Sequence, residues 1–332
     1  MNKKLIAVAV AAGLALPMVS AQAVEVAGKK LEIYGKVHVS ISKNDQLGTA
    51  ADNFLLESNG SRLGFKGAIP LDGGLSGTYK YETEIDVDSA TTAFATRNTY
   101  IGLKGAFGEV RLGQHDSSLK MAQGKFDQFG DTVGDIKHAG EEDGENRNKN
   151  SITYVGKFDK LSVNVQLIPG EGDGTDGGSG QGIADSTSVG VSYKSGPLFV
   201  AVATDKHDKK AVAGATENTM TRLVATYKMS GMQFGLLSQS GVEKADNSAA
   251  KETWLGASFG MKVGGKGKVK VQLINVKDSA TTALKGTQTS IGYDHKLSKK
   301  GTVYALYNTI TEKNAATTKD NSTVSVGYIL KF

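Results

Sequence analysis

The sequence predicts an all-β protein, a sixteen-stranded antiparallel up-and-down transmembrane β-barrel. Three observations lead there. Apolar and polar residues alternate with a period of two in segment after segment, down to the end of the chain. The connections between these segments are short and long in strict turn. The last segment completes its alternation on an aromatic residue, Phe332, where the chain stops.

The first residues read as an address. Lys3 and Lys4 precede an apolar run from Leu5 to Val19, and Ala21-Gln22-Ala23 supplies the small-x-small pattern cut after export. The run is too short for a retained membrane helix. Residues 1–23 are therefore expected to be a signal peptide and 24–332 the barrel domain. With no cysteine among 332 residues, no disulfide framework supports the exported chain. Its 42 glycines and only 4 prolines suit continuous strands and tight turns. Charged residues recur too often for a membrane-spanning helix. A formal charge of +5, without a basic amphipathic helix or a basic block interleaved with aromatics, gives no nucleic-acid surface.

Sixteen segments follow in order. The first, 31–42, alternates Leu31, Ile33, Val37, Val39 and Ile41 with Glu32, Tyr34, Lys36, His38 and Ser40. Next come 55–67, 74–87, 95–104 and 107–114; in the second of these, Tyr79, Tyr81 and Ile85 alternate with Lys80, Glu82 and Glu84. Then come 148–156, 160–168 and 187–195, with Leu161, Val163 and Val165 set against Ser162, Asn164 and Gln166. The remaining eight are 197–204, 217–228, 231–240, 251–262, 266–277, 286–296, 300–311 and 321–332. Short turns such as Gly196-Pro197 and Gly264-Gly265 alternate with long polar loops near 43–54, 88–94, 115–147, 169–186, 205–216, 241–250, 278–285 and 312–320. A soluble β-sandwich shares the alternation but has no reason to sort its connections by length. In hydrocarbon an unpaired strand edge costs several kcal/mol per group, and only closure removes the edge. A ring of sixteen is too wide for side chains to fill, so water and the polar partners of each strand occupy the lumen.

Val324, Val326, Tyr328, Leu330 and Phe332 are spaced by two. A terminal strand of this kind resembles the signal read by the outer-membrane barrel assembly machinery, which makes Tyr328, Leu330 and Phe332 the candidate assembly signal.

Six segments, in order, resemble the general diffusion porins of Gram-negative bacteria: Leu31–Val37, Ser61–Gly67, Arg97–Gly113, Phe129–Asp135, Arg147–Tyr154 and Gly327–Phe332. The resemblance covers the whole chain after the leader. It implies an outer-membrane homotrimer of barrels, in contact with membrane lipids, passing small hydrophilic solutes and ions through pores narrowed by an inward-folded long third loop. It also implies a constriction with a basic wall of Lys36, Arg62, Arg97 and Arg147 facing Asp127, Asp131 and Asp135 of that loop, and Arg111, which alternates with Val110 and Leu112, is expected to line the pore too. Alternation supports Lys36, Arg62 and Arg147. Arg97 shares parity with Ile101 and Leu103, so a bulge or break is needed to turn it inward. Opposed charges across a narrow pore orient polar solutes and give nothing to apolar ones.

Other chemistries find little support. The five histidines, His38, His115, His138, His207 and His295, are scattered and show no metal-ligand spacing. No serine sits in a nucleophile elbow, so neither a cofactor nor an enzyme site is expected. The glycine-rich stretch Pro169–Gly182 lacks the sustained repeat or closing acid of a calcium loop. A substrate-preferring channel, or an enzyme or adhesin on the same scaffold, remains the alternative. Ion preference stays open, since the basic wall and the acidic loop pull in opposite directions.

Overall fold

Along a strand successive side chains leave opposite faces, so a period of two sorts them between the outside and the inside of a ring. The computed structural model describes residues 24–26, 29–46, 53–88, 94–140, 144–170, 182–207, 217–245, 248–278, 285–313 and 318–332. The expected leader, 1–23, lies outside them.

The wall is built from β1 (Lys29–Gln46), β2 (Asn53–Ser58 continued as Arg62–Pro70), β3 (Ser76–Glu84), β4 (Thr99–Gly105) and β5 (Gly108–Asp116). It continues through β6 (Arg147–Phe158), β7 (Leu161–Ile168), β8 (Ser186–Ser195), β9 (Leu198–His207), β10 (Glu217–Met229) and β11 (Met232–Ala245). It ends with β12 (Ser248–Val263), β13 (Gly267–Asp278), β14 (Lys285–Lys296), β15 (Gly301–Lys313) and β16 (Thr318–Lys331). A short segment, Val24–Val26, folds back on the start of β1. Every strand pairs antiparallel with its neighbours in sequence, and β16 closes on β1 from Asn321↔Gln46 to Lys331↔Lys36. The sixteen-stranded antiparallel barrel is therefore closed, and no edge is left to hydrocarbon.

The apolar face points outward. Ile101, Leu112, Leu223, Leu236, Leu255 and Val326 are exposed on the outer surface, while His38, Gln166, Arg222 and Gln272 on the opposite parity are buried. Exposed aromatics, among them Phe107, Phe158, Tyr193, Tyr227 and Tyr293, lie near the short turns, where an interfacial girdle belongs.

The strands run farther than alternation alone indicated. The long loop expected at 241–250 narrows to residues 246–247, because β11 and β12 stay paired to Ala245↔Ser248. Above the membrane both faces of a hairpin meet water. Backbone pairing then continues without the apolar alternation that marks a strand in sequence.

Two bulges re-aim side chains near one another. Ser58 pairs with Val39 and Arg62 with Lys36, so four steps on β2 oppose three on β1. Gly60, at φ 60°, takes up the extra residue, and this turns Arg62 into the lumen. The second bulge lies between Gly113/Ser151 and His115/Asn148, with Asn150 at φ 51°.

The connection from β5 to β6, here L3, runs inside the ring over its described residues, 117–140 and 144–146. Its short helix α1 (Ser118–Ala122) starts at Ser117, whose hydroxyl accepts from Lys120 N. Leu119, Phe126, Phe129 and Ile136 of L3 are fully or almost fully buried. Phe126 and Ile136 pack with Val224, Leu237, Trp254, Ile274 and Val276, all on the lumen parity of β10 to β13. One side of the lumen is thus an apolar seat for the loop.

Candidate functional site

L3 is fixed to the wall by side chains that project into the lumen. Arg222 of β10, with no exposed surface, donates from Nη1 to Glu145 Oε1 at 2.6 Å and to the Leu119 carbonyl. Asp205 of β9 accepts from Leu119 N, and Ser188 of β8 from Ser118 N. At the far end Gln272 accepts from Gln128 N, while Gln288 and Ser290 donate to the carbonyls of Asp135 and Gly134. A buried loop needs such partners, because its backbone groups have no ladder to satisfy them.

The tip of L3 meets the opposite wall at Asp131. Its Oδ2 lies 2.6 Å from Lys36 Nζ and 3.4 Å from Arg62 Nη2. Lys36 also donates to the Asn59 carbonyl at the β2 bulge. Burial would raise the Asp131 carboxyl, but the charges of Lys36 and Arg62 outweigh it and hold the group down at about 2. Asp131 therefore touches the basic wall directly. Asp127 faces its own loop instead, while Asp135 both bonds its own loop and contributes to the lining of a cavity between L3 and the outer strand ends. Asp127 Oδ1 accepts from Phe129 N, and burial pushes its carboxyl up. Asp135 accepts from Asp131 N at 2.7 Å and from Lys137 N at 3.0 Å, which shapes the turn that carries Asp131.

Arg97 lies just outside β4, which begins at Thr99, and this break frees it from the parity of Ile101 and Leu103. Its Nε sits 3.0 Å from Glu82 Oε1 and its Nη1 2.7 Å from Glu84 Oε2. Arg147 also departs from the simple alternation. The bulge at Asn150 gives Asn148 the place opposite His115, while Arg147 stands opposite Asp116 and pairs with it at 2.9 Å. Arg111 stacks over the Tyr100 ring and reaches Glu109 and His115, closer to the short-turn end. Between L3 and the outer ends of β1, β2, β6, β15 and β16 lies a cavity of about 730 Å³, and Arg97, Arg147, Asp131 and Lys137 contribute to its lining. Among the described residues no cluster could hold a metal ion.

Sequence reasoning did not single out Arg222, Glu145, Asp205, Gln272 or Gln288. Arg222 carried a usable signal, since it is one of the chain's few arginines and lies between Met220 and Val224 on one strand face.

A family model described as Gram-negative porin matches residues 6–315. The chain belongs to that family. This porin is 30% identical over 327 residues to outer membrane porin protein 32 of Delftia acidovorans, covering 92% of this chain and 90% of that one. Its structure matches an anion-selective porin from Comamonas acidovorans with a TM-score of 0.80 at 25% identity, over 92% of this chain and all of that one. It shares its fold with OmpT of Vibrio cholerae in its trimer form, with a TM-score of 0.70 at 15% identity, over 92% and 99% of the two chains. The protein is thus an outer-membrane channel, a water-filled path for passive diffusion of small hydrophilic solutes and ions.

Proposed function

We propose that this porin works as a homotrimer whose pores favour anions, each narrowed where L3 meets the wall that carries Lys36, Arg62, Arg97 and Arg147. The observation that carries the reading is the contact of Asp131 with Lys36 and Arg62, which fixes the loop tip against the wall. The passage beside it is bordered by Arg97 and Arg147 with their acidic partners. Fixed charges of both signs at a narrow point orient dipolar solutes, and guanidinium groups hold their charge at any accessible pH.

Two further observations support the finer points. A relative of similar architecture bears the name anion-selective porin. On this chain β3, β4 and β5 have only 9, 7 and 9 residues, against 12 to 16 in β10 to β16. A wall so low on one side suits a neighbouring barrel better than lipid.

Purified protein in a planar bilayer tests the reading. Stepwise conductance in groups of three and a reversal potential of anionic sign in a KCl gradient are expected. Single independent steps would remove the trimer, and a cationic sign would remove the anion preference.

A further inference from the structure

The cations at the constriction are paired. Lys36 and Arg62 meet Asp131, Arg97 meets Glu82 and Glu84, Arg111 meets Glu109, and Arg147 meets Asp116. Opposite charges in contact cancel most of the field that a passing ion feels beyond them.

A second group of cations lies between L3 and the short turns, and it is not paired. Lys228 of β10, Lys262 of β12 and Lys268 of β13 share parity with buried lumen residues of their strands, Val224, Trp254 and Gln272. Lys262 and Lys268 stand directly opposite each other in the ladder. The Lys268 stem crosses Gly260, where a Cβ would lie 2.7 Å from Lys268 Cε, and its Nζ donates to Gln128 Oε1 of L3 at 2.6 Å. Lys125 of L3 is held over the same area, because Gln233 and Gln128 both donate to its carbonyl. Asp294, directly opposite Lys268 in the ladder, is taken up by Lys270 at 2.8 Å, and among the described residues no other carboxylate forms an ion pair with these lysines. Like charges placed opposite each other destabilise a sheet, and a mobile anion between them relieves the repulsion.

We propose that ion preference in this porin is set by this lysine vestibule on the short-turn side of L3, formed by Lys125, Lys228, Lys262 and Lys268, and not by the paired arginines at the narrowest point. The inference rests on the anion preference proposed above and assigns it a place. The vestibule accumulates small anions such as chloride and repels cations before they reach L3. Its field extends over about 10 Å at 0.1 M salt and about 3 Å at 1 M, so its influence fades as salt rises.

The test compares the triple variant Lys228→Gln/Lys262→Gln/Lys268→Gln with Arg62→Gln and with the charge-keeping triple Lys→Arg, all as full-length protein in planar bilayers. The readout is the chloride-to-potassium permeability ratio from reversal potentials at low and high KCl. The lysine-to-glutamine triple is expected to lower the ratio by about threefold or more at low salt. The effect should shrink at high salt, the arginine triple should keep the wild-type ratio, and Arg62→Gln should change it by less than about 1.5-fold. An unchanged ratio in the glutamine triple, or a larger change in Arg62→Gln, overturns the proposal. A wild-type ratio that favours potassium defeats the anion preference alone, and a further fall in the triple would still support the vestibule as the controlling station.

Discussion

Asp131 adopts a left-handed backbone conformation, φ 61°, which aspartate tolerates better than most residues. Opposite it Gly60 has φ 60°, and a Cβ there would lie 2.9 Å from Asp131 Oδ1. Gly60→Ala should therefore add about 1–2 kcal/mol of backbone strain and push the carboxylate off Lys36. The expected sign is a noisier single-channel trace with an intact barrel. Asp131→Asn removes the charge without the bulk and should loosen the tip at a cost of about 1–2 kcal/mol, read by the same noise measurement. Because the folded-state pKa lies below the ordinary aspartate value, the contact contributes stability above roughly pH 4 and loses it as pH falls toward about 2. Open-channel noise should accordingly stay flat from neutral pH to about 4 and rise below it; a rise already near pH 6 would exclude Asp131 as its cause. Lys36 and Arg62 were legible because alternation tells which face a strand residue takes. The setting of Asp127 was not, because a loop acid carries no periodicity to show whether it faces the pore or its own backbone.

L3 behaves as an element with two anchored ends, α1 against β8 to β10 and the tip against β13, β14 and β1. The Arg222–Glu145 pair holds the return limb, and burial lifts the Glu145 carboxyl even with Arg222 beside it. Arg222→Leu leaves that carboxylate without its main partner in a dry site, a loss of about 3–5 kcal/mol for the loop's attachment. Trp254 reports it, since it is the chain's single tryptophan, fully buried against the loop where a Cβ on Gly140 would meet its ring. The variant should shift tryptophan emission to the red and raise conductance, with strand content by circular dichroism unchanged. Unshifted emission would mean that the apolar seat alone suffices. Strand β7 was legible throughout because Leu161, Val163, Val165 and Leu167 make one of its faces uniformly apolar. The seat of L3 was hidden for the converse reason: Val224, Trp254 and Ile274 are apolar on the parity that sequence alone assigns to water.

For the whole molecule the decisive asymmetry is the height of the wall. Seven to nine residues in β3, β4 and β5 rise roughly 17–22 Å at the usual tilt, short of the roughly 25 Å apolar band of an outer-membrane barrel. The outer surface there still carries Ile101, Leu103 and Leu112, all exposed in the isolated chain. If second and third barrels cover this side, a charge at Ile101 is buried between proteins. At Leu255, on the tall side, it faces lipid. Ile101→Lys should therefore convert trimers to monomers in detergent, read by molar mass from light scattering, while single-barrel conductance persists. Leu255→Lys should leave the trimer intact and instead cost about 2–4 kcal/mol of membrane stability if the residue lies near the midplane, seen as a lower denaturant midpoint in vesicles. The reverse pattern, with Leu255→Lys breaking the trimer, would move the interface to the tall side and leave the low wall without a role in assembly.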